Sequence, residues 1–237
     1  MKAIGLALLA AGMFGSGVLQ RGMPADLEQV GLGRLTAVML LEAASWAAAP
    51  IYAWLVCQGV ARTGSVGRYA ARVAVLALAS EVPYDLASSG QVWDMASQNP
   101  VFAVLASLAV LALGRGAKLS QTGSRASKAA FWAMLALAGA VWLAFFNVGL
   151  RLGVVPTGLL LLAFALVFYF GQERPNTMML VGSAIGVLGG IAPAFGLVFL
   201  HFRSGREGMR HRWDRRAFYA LYPLALLAAG LWRVAAP

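Results

Sequence analysis

Eight long hydrophobic segments follow one another along the 237-residue chain, separated by short polar or glycine-containing stretches. A helix needs about 20 mostly apolar residues to cross the ~30 Å hydrocarbon core of a bilayer, and this chain has room for about eight such crossings. Only helices and closed barrels satisfy their backbone groups in lipid, and these runs are too long and continuous for barrel strands. The pattern predicts an all-α, polytopic transmembrane helical bundle that forms one domain over residues 1–237. The segments are 3–20, 35–61, 69–87, 100–114, 129–148, 153–171, 177–202 and 217–235.

The first segment has two interpretations. Lys2 followed by an apolar run is compatible with a signal peptide, but no clear small-residue cleavage site precedes a polar mature domain. Further hydrophobic segments follow directly. We therefore expect the first segment to be retained as a helix.

The charges in the loops predict the orientation. Arg62 and Arg68 lie between the second and third segments, and a second basic loop, 115–128, lies between the fourth and fifth. Short loops rich in Lys and Arg stay in the cytoplasm. The loop 88–99 has no Lys or Arg and carries Trp93, as expected of an outward-facing loop. This assignment places the N-terminus inside.

The most basic loop contradicts a simple count of eight. Alternating crossings would put residues 203–216 outside, although this stretch contains six arginines. The preceding segment contains Gly182, Gly186, Gly189, Gly190 and Pro193, which can break one helix into two short halves and return the chain to its starting side. Alternatively, the glycines belong to one helix and allow close helix packing. The expected count is eight segments, or nine if the helix is broken.

Composition narrows the class of protein further. The chain is 60% hydrophobic and 12% charged, against roughly half and a quarter in soluble domains. Its net charge of +10 comes largely from basic residues in short loops, which indicates membrane insertion and not nucleic-acid binding. The single cysteine, Cys57, excludes an internal disulfide and a cysteine-based zinc cluster. We expect no metal, membrane lipids as partners, and a multi-pass location in a cell membrane.

Ionisable residues inside apolar segments are candidates for function because they are costly at membrane depth. Glu42 falls in the second segment, and Glu81 and Asp85 fall near the outer end of the third. A spacing of four residues puts both carboxylates on one helical face, although Pro83 lies between them. They can serve as acid and base, bind a cation, or simply be interfacial residues at a helix end. Gln98 and Asn99 precede Pro100 and can cap the next helix or face a substrate.

A buried histidine base is absent from the sequence. The two histidines, His201 and His211, both lie by the basic loop, so serine or cysteine hydrolase constellations are disfavoured. No glycine-rich phosphate loop with its lysine occurs either. The arginines from Arg203 to Arg216 can attract an anionic cofactor or anionic lipid head groups, or serve only to orient the chain.

The order of several short motifs resembles the TraX family of bacterial membrane proteins, which is linked to acetylation of conjugative pilin at its N-terminus. The resemblance covers most of the chain. Its motifs are Pro50-Ile51-Tyr52-Ala53-Trp54-Leu55, Gly59, Arg62-Thr63, Tyr69, Arg72, Ser80-Glu81-Val82-Pro83-Tyr84-Asp85, Gln98-Asn99, Phe168-Tyr169, Ser204-Gly205-Arg206-Glu207-Gly208 and Phe218-Tyr219-Ala220-Leu221-Tyr222-Pro223-Leu224.

The resemblance implies an acetyltransferase of the bacterial inner membrane that uses acetyl-CoA and a pilin-like or other membrane protein acceptor. Its implied catalytic residues are Glu81 and Asp85. The residues implied to bind substrate are Glu42, Arg62, Gln98 and Asn99, and those implied to bind the cofactor are Arg206, Arg210 and Arg212.

Four polar positions of the family are replaced in this chain. Met13-Phe14-Gly15-Ser16 stands where the family usually has an Asp-His pair, and Ala225 stands where a His follows the Tyr-Pro-Leu. Trp46 replaces a Gly-Arg, and Gln58 replaces a Glu. Three hypotheses follow: an active acyltransferase, a non-catalytic relative that acts as a binding or assembly partner, and a small transporter in which Glu42, Glu81 and Asp85 line an ion or proton path.

Overall fold

The computed structural model describes residues 1–15, 19, 31–117, 121–151, 155–203 and 212–235, without the side chains of residues 151, 155 and 212–216. Helices account for nearly all of this part of the chain, which confirms the all-α prediction. The helices are α1 (Lys2–Phe14), α2 (Leu32–Trp46), α3 (Ala48–Arg62), α4 (Val66–Ser88), α5 (Val101–Gly116), α6 (Arg125–Phe145), α7 (Thr157–Phe170), α8 (Pro175–Leu188), α9 (Ala192–His201) and α10 (Arg212–Ala235). Two short antiparallel strands, β1 (Leu150–Arg151) and β2 (Val155–Pro156), lie between α6 and α7.

Local sequence accounts for five of the ten helix starts in the described part of the chain. The Ser65 hydroxyl accepts a hydrogen bond from the Arg68 amide at the start of α4, and Ser124 does the same for Ser127 in α6. Asn99 caps α5, because its Oδ1 accepts the Val101 amide 3.0 Å away. A proline occupies the first turn of both α8 and α9, where its missing N–H costs no helical bond.

Three helical stretches in the described part of the chain are long and apolar enough to cross a membrane. They are Leu32–Arg62, taken as one run through Ala47, Arg125–Phe145 and Ala217–Ala235. The other apolar helices have 10 to 17 residues. These stretches indicate a membrane protein. The count of eight or nine crossings stays a prediction.

The interrupted segment 177–202 folds as a hairpin of two antiparallel helices, α8 and α9. A Cβ on Gly186 would lie 2.7 Å from the backbone of Ala194, and one on Gly182 would lie 3.3 Å from Leu197. From Gly186 to Gly182 the residue numbers fall in α8, while those of their partners rise in α9 from Ala194 to Leu197. The two helices therefore run in opposite directions. The glycines thus have both predicted roles: they break the helix and they allow its halves to pack closely.

The hairpin brings the chain back to the end of the bundle from which it left. Gly196 of α9 packs on Ala47 and Arg203 lies over the Trp54 ring, so α9 runs parallel to α3. Tyr222 of α10 reaches Asn99, which itself contacts Ala77, and Gly230 packs on Leu86, so α10 runs parallel to α4. The last turn of α9 and the first turn of α10 therefore lie at the end where α3 ends and α4 begins.

The other two basic loops, 62–68 and 115–128, begin and end at this same end of the bundle. Arg115, at the end of α5, donates to the carbonyl of Val60 near the end of α3, and Gly114 packs under the Trp132 ring near the start of α6. We call this the basic end of the bundle and the opposite one, with the loop 89–100, the acidic end. This arrangement removes the contradiction that eight simple crossings create for residues 203–216.

Candidate functional site

The acidic end holds a cluster of polar side chains on α4 and in the loop 89–100. Glu81 and Asp85 lie one helical turn apart in α4, which continues unbroken through Pro83. Both side chains are buried: Glu81 is 9% exposed and Asp85 is 1% exposed. The structure thus confirms that the carboxylates share a face, as their spacing predicts.

Each carboxylate accepts a hydrogen bond from the loop 89–100 through one of its two oxygens. The Asn99 amide donates to Oε2 of Glu81 over 3.3 Å, and the Asp94 amide donates to Oδ2 of Asp85 over 3.0 Å. The second oxygens, Oε1 and Oδ1, are buried and have no hydrogen-bond partner among the residues that the structure describes. The loop therefore orients both groups and leaves each with one buried oxygen that has no described partner.

No described Lys or Arg forms an ion pair with either carboxylate. Burying an uncompensated carboxylate costs several kcal/mol, because water solvates the charge far better than the protein interior does. Sites that retain this cost are candidates for binding or proton transfer. The hydroxyl of Ser80, buried next to Glu81 in the chain, also lacks a partner in the described part of the protein.

Asn99 joins three helices at this site. Its Oδ1 accepts from the Val101 amide and from the Tyr222 hydroxyl, and its Nδ2 donates to the carbonyl of Ala77. Both ends of the side-chain amide are thus used within the protein. The structure assigns Asn99 to the positioning of Glu81, while direct contact with a substrate stays a prediction.

The other predicted substrate-binding residues are spread over the bundle. Gln98 is half-buried and directs its amide to the Asp94 carbonyl in its own loop, 3.4 Å away. Glu42 is buried on α2 beside Gly15 of α1, and Arg62 is exposed at the basic end. The structure brings together Glu81, Asp85, Gln98 and Asn99. It does not bring Arg62 to them, because the 15 residues of α4 between Val66 and Glu81 span roughly 22 Å.

The predicted cofactor-binding arginines cannot be placed in full. Arg206 and Arg210 lie outside the described residues, and Arg212 begins α10 with a side chain that is not described. The helices on either side of this loop point to the basic end. No cluster of His, Cys, Asp and Glu suited to a metal occurs among the described residues.

Two features of the site are not apparent from the sequence alone. Tyr222, which the resemblance includes only as part of a motif, is buried and donates to Asn99 over 3.0 Å. Arg233 donates to the carbonyls of Ala87 and Ser88 and so caps the end of α4. A buried tyrosine hydroxyl and a terminal arginine both need partners, but the sequence does not say which ones.

The position of Ala225 connects the site to the replaced family residues. Tyr222 lies at the level of Ala77 through Asn99, and Gly230 packs against Leu86, so Ala225 lies near the level of Glu81. The histidine that the resemblance implies at this position would therefore enter α10 near the level of Glu81. At the first helix, Gly15 packs on Leu41 and the backbone of Glu42.

Comparison with known sequences identifies the family. No curated protein and no solved structure matches the chain. The sequence model of the TraX protein family matches residues 32–233, from the start of α2 to the last turn of α10. The carboxylates, the loop 89–100 and Tyr222 all fall inside this region. The chain belongs to the TraX family.

Proposed function

We propose that this protein is a membrane acetyltransferase of the bacterial inner membrane, which moves an acetyl group from acetyl-CoA to a protein N-terminus or another acceptor beside the membrane. Membership in the TraX family supports a setting in conjugation, with a pilin-like protein as the acceptor. The observation that carries the proposal is the carboxylate pair. Glu81 and Asp85 are each fixed by one backbone amide and each keep one buried oxygen without a described partner.

This geometry suits a general base. In the proposed transfer, a carboxylate oxygen without a described partner takes a proton from the acceptor amine. At the same time the amine nitrogen bonds to the carbonyl carbon of the acetyl group. The thioester C–S bond then breaks, and the CoA sulfur takes this proton from the resulting carboxylic acid and leaves as the thiol. A positioned base contributes typically 10²–10⁴-fold to such a rate, provided that it lies within hydrogen-bond reach of the proton.

The donor would approach from the basic end, where CoA phosphates meet arginines such as the predicted Arg206, Arg210 and Arg212. The acceptor would meet the carboxylates at the acidic end. The two ends are separated by most of the length of α4, so the thioester arm of the donor would have to reach along the bundle to the carboxylates.

The topology that follows has nine membrane segments, with α2 and α3 counted as one and α8 and α9 as separate short ones. With 14 and 10 residues, α8 and α9 measure roughly 21 Å and 15 Å, which is less than the ~30 Å hydrocarbon core. The turn 189–191 lies beside Trp46, in the middle of the long run Leu32–Arg62. The hairpin therefore enters the bilayer and returns, and all basic loops face the cytoplasm.

Cysteine labelling tests this topology. In a Cys57→Ser background, a cysteine at Ser204 is expected to react with a membrane-impermeant maleimide only after the cells are opened. A cysteine at Gln91, in the acidic-end loop, should react in spheroplasts that are still intact. If both positions are labelled from the same side of the membrane, α8 and α9 do not form a hairpin that enters the bilayer and returns to the cytoplasmic side.

Substitution of the carboxylates tests the proposed chemistry. Glu81→Gln and Asp85→Asn keep the shape and the bond to the loop amide but remove the basic oxygen. We expect each variant to lower acetyl transfer from acetyl-CoA to a peptide with a free α-amino group by about 100-fold. The measurement is mass spectrometry of the peptide after incubation with the protein in nanodiscs.

Glu173→Gln is the matched control, since this carboxylate is exposed between α7 and α8. It should keep the wild-type rate, and all variants should keep the wild-type melting temperature. Full activity in both carboxylate variants would exclude the site. If the wild-type protein does not turn over acetyl-CoA, the hypothesis of a non-catalytic binding or assembly partner is favoured. The observation that supports this second hypothesis is the small side chain of Ala225 at the level of Glu81.

A further inference from the structure

A small pocket opens at the basic end, remote from the carboxylates. It has a volume of about 200 Å³ and lies where the last turns of α3, α5 and α7 meet. Its lining consists of Cys57, Val60, Ala61, Arg115, Tyr169 and Gln172. Since Gly59 packs on the Tyr69 ring, the pocket lies about 12 residues, or ~18 Å, below Glu81 along α4.

The polar groups in this lining are mainly hydrogen-bond donors. Arg115 has five N–H groups, of which the structure shows one bonded, to the carbonyl of Val60. The hydroxyl of Tyr169 and the side-chain amide of Gln172 make no hydrogen bond to any residue that the structure describes. No carboxylate belongs to the lining. A donor-rich pocket with one fixed positive charge favours an anion.

The apolar part of the pocket is equally specific. Cys57 is buried and its thiol donates to the carbonyl of Ala165, so its sulfur is already occupied. Cys57, Val60 and Ala61 therefore offer a neutral wall beside the donors. Ligand pockets for whole drug-sized molecules measure roughly 300–1,000 Å³, so a pocket of 200 Å³ holds one group of a larger molecule.

We propose that this pocket binds the phosphate group of a phosphate ester, with the rest of that molecule outside. Arginine matches the planar geometry of two phosphate oxygens, and Tyr169 and Gln172 supply further donors. Two sources share this chemistry: a soluble ester such as coenzyme A, and the head group of an anionic phospholipid at the cytoplasmic surface. The inference goes beyond the proposed transfer, because it holds for either source and does not involve Glu81 or Asp85.

Arg233 provides a comparison within the same chain. Like Arg115, it donates to helix-end carbonyls, in its case those of Ala87 and Ser88. It does not belong to the lining of the pocket. A purely structural role for Arg115 as a helix cap would make the two arginines equivalent in binding experiments.

The experiment compares the protein and its variants in maltoside detergent micelles, which contain no phosphate. Coenzyme A is titrated while tryptophan fluorescence is followed, since the Trp132 ring lies 5.2 Å from that of Tyr169. Pantetheine, which lacks phosphate, is the negative ligand. In parallel, native mass spectrometry measures phosphatidylglycerol retained by the protein.

We expect Arg115→Gln to weaken binding about tenfold or more and Tyr169→Phe to weaken it about threefold, with Arg115→Lys intermediate. Arg233→Gln and Glu81→Gln should bind like wild type. Dependence of coenzyme A binding on Arg115 and Tyr169 identifies a soluble ester; the same dependence for phosphatidylglycerol alone identifies the lipid.

The proposal is overturned if neither ligand binds at millimolar concentration, if pantetheine binds as well as coenzyme A, or if Arg115→Gln and Arg233→Gln behave alike. If Glu81→Gln binds coenzyme A as tightly as the wild type, this result supports the pocket, whatever the rate of acetyl transfer of that variant. Failure of transfer in the wild type would contradict only the proposed function.

Discussion

Gly196→Ala is expected to lower the melting temperature of the purified protein by about 5 °C or more, and Gly196→Leu to abolish its monodisperse folded form. A Cβ on Gly196 would collide with the backbone carbonyl of Ala47 and contact Pro50. A carbonyl inside the run Leu32–Arg62 cannot move aside as a flexible side chain can. The added methyl group therefore either bends this run or detaches α9 from it.

The matched control is Gly67→Ala in the first turn of α4, where no atom lies within 4 Å of the new Cβ. This variant should melt at the wild-type temperature or slightly higher, because alanine is the better helix former. Thermal unfolding in detergent and size-exclusion chromatography measure both effects. Equal melting temperatures for Gly196→Ala and wild type would show that α9 does not pack on the long run as described.

Ala225→His is expected to raise acetyl transfer at least tenfold if the protein is an acetyltransferase with a weakened site. The new imidazole would enter α10 near the level of Glu81, where two carboxylate oxygens lack described partners. A carboxylate bonded to an imidazole N–H fixes the ring and increases its basicity, as in the orienting pairs of many enzymes. The resemblance to the family implies a histidine at this position.

Leu224→His is the control, since Leu224 is exposed and lies about 100° around α10 from Ala225. It should transfer acetyl groups at the wild-type rate. The readout is again the mass of a peptide with a free α-amino group after incubation with acetyl-CoA. An Ala225→His protein that folds normally and gains no activity would show that the loss of the histidine is not what limits the reaction.

The two sites at opposite ends of the bundle give the proposed function a physical requirement. The carboxylates lie at the acidic end and the phosphate pocket lies ~18 Å away along α4. A donor whose phosphate is held in the pocket would need an arm of that length to bring its thioester to Glu81. If the pocket instead holds a lipid head group, the donor has to enter by the arginines of the loop 203–216.

The interrupted segment shows why sequence reasoning stops at alternatives. Gly182, Gly186, Gly189, Gly190 and Pro193 permit a broken helix and equally permit a packed one, because glycine serves both purposes. The choice depends on what lies across from each glycine. The backbone of Ala194 against Gly186, and that of Ala47 against Gly196, are contacts between residues on different helices that no local pattern contains.

For the carboxylate site too, the sequence predicts one part and only the tertiary structure decides the other. The spacing of Glu81 and Asp85 is enough to place them on one face, since an α-helix repeats every 3.6 residues. Their hydrogen bonds to the loop 89–100, and the tie from Asn99 to Tyr222, join positions up to 123 residues apart. The spacing therefore predicts that the pair exists, but not which oxygens remain available.

The amino-acid pattern alone accounts for the helical class, for the positions of most helix ends and for the separation of charge between loops. These properties depend on how each short stretch meets lipid or water, so they can be read one segment at a time. The return of the chain through α8 and α9, the partners of each buried oxygen and the pocket below Arg115 depend on long-range packing. They follow from shapes and distances between helices, which become defined only when the whole bundle has formed.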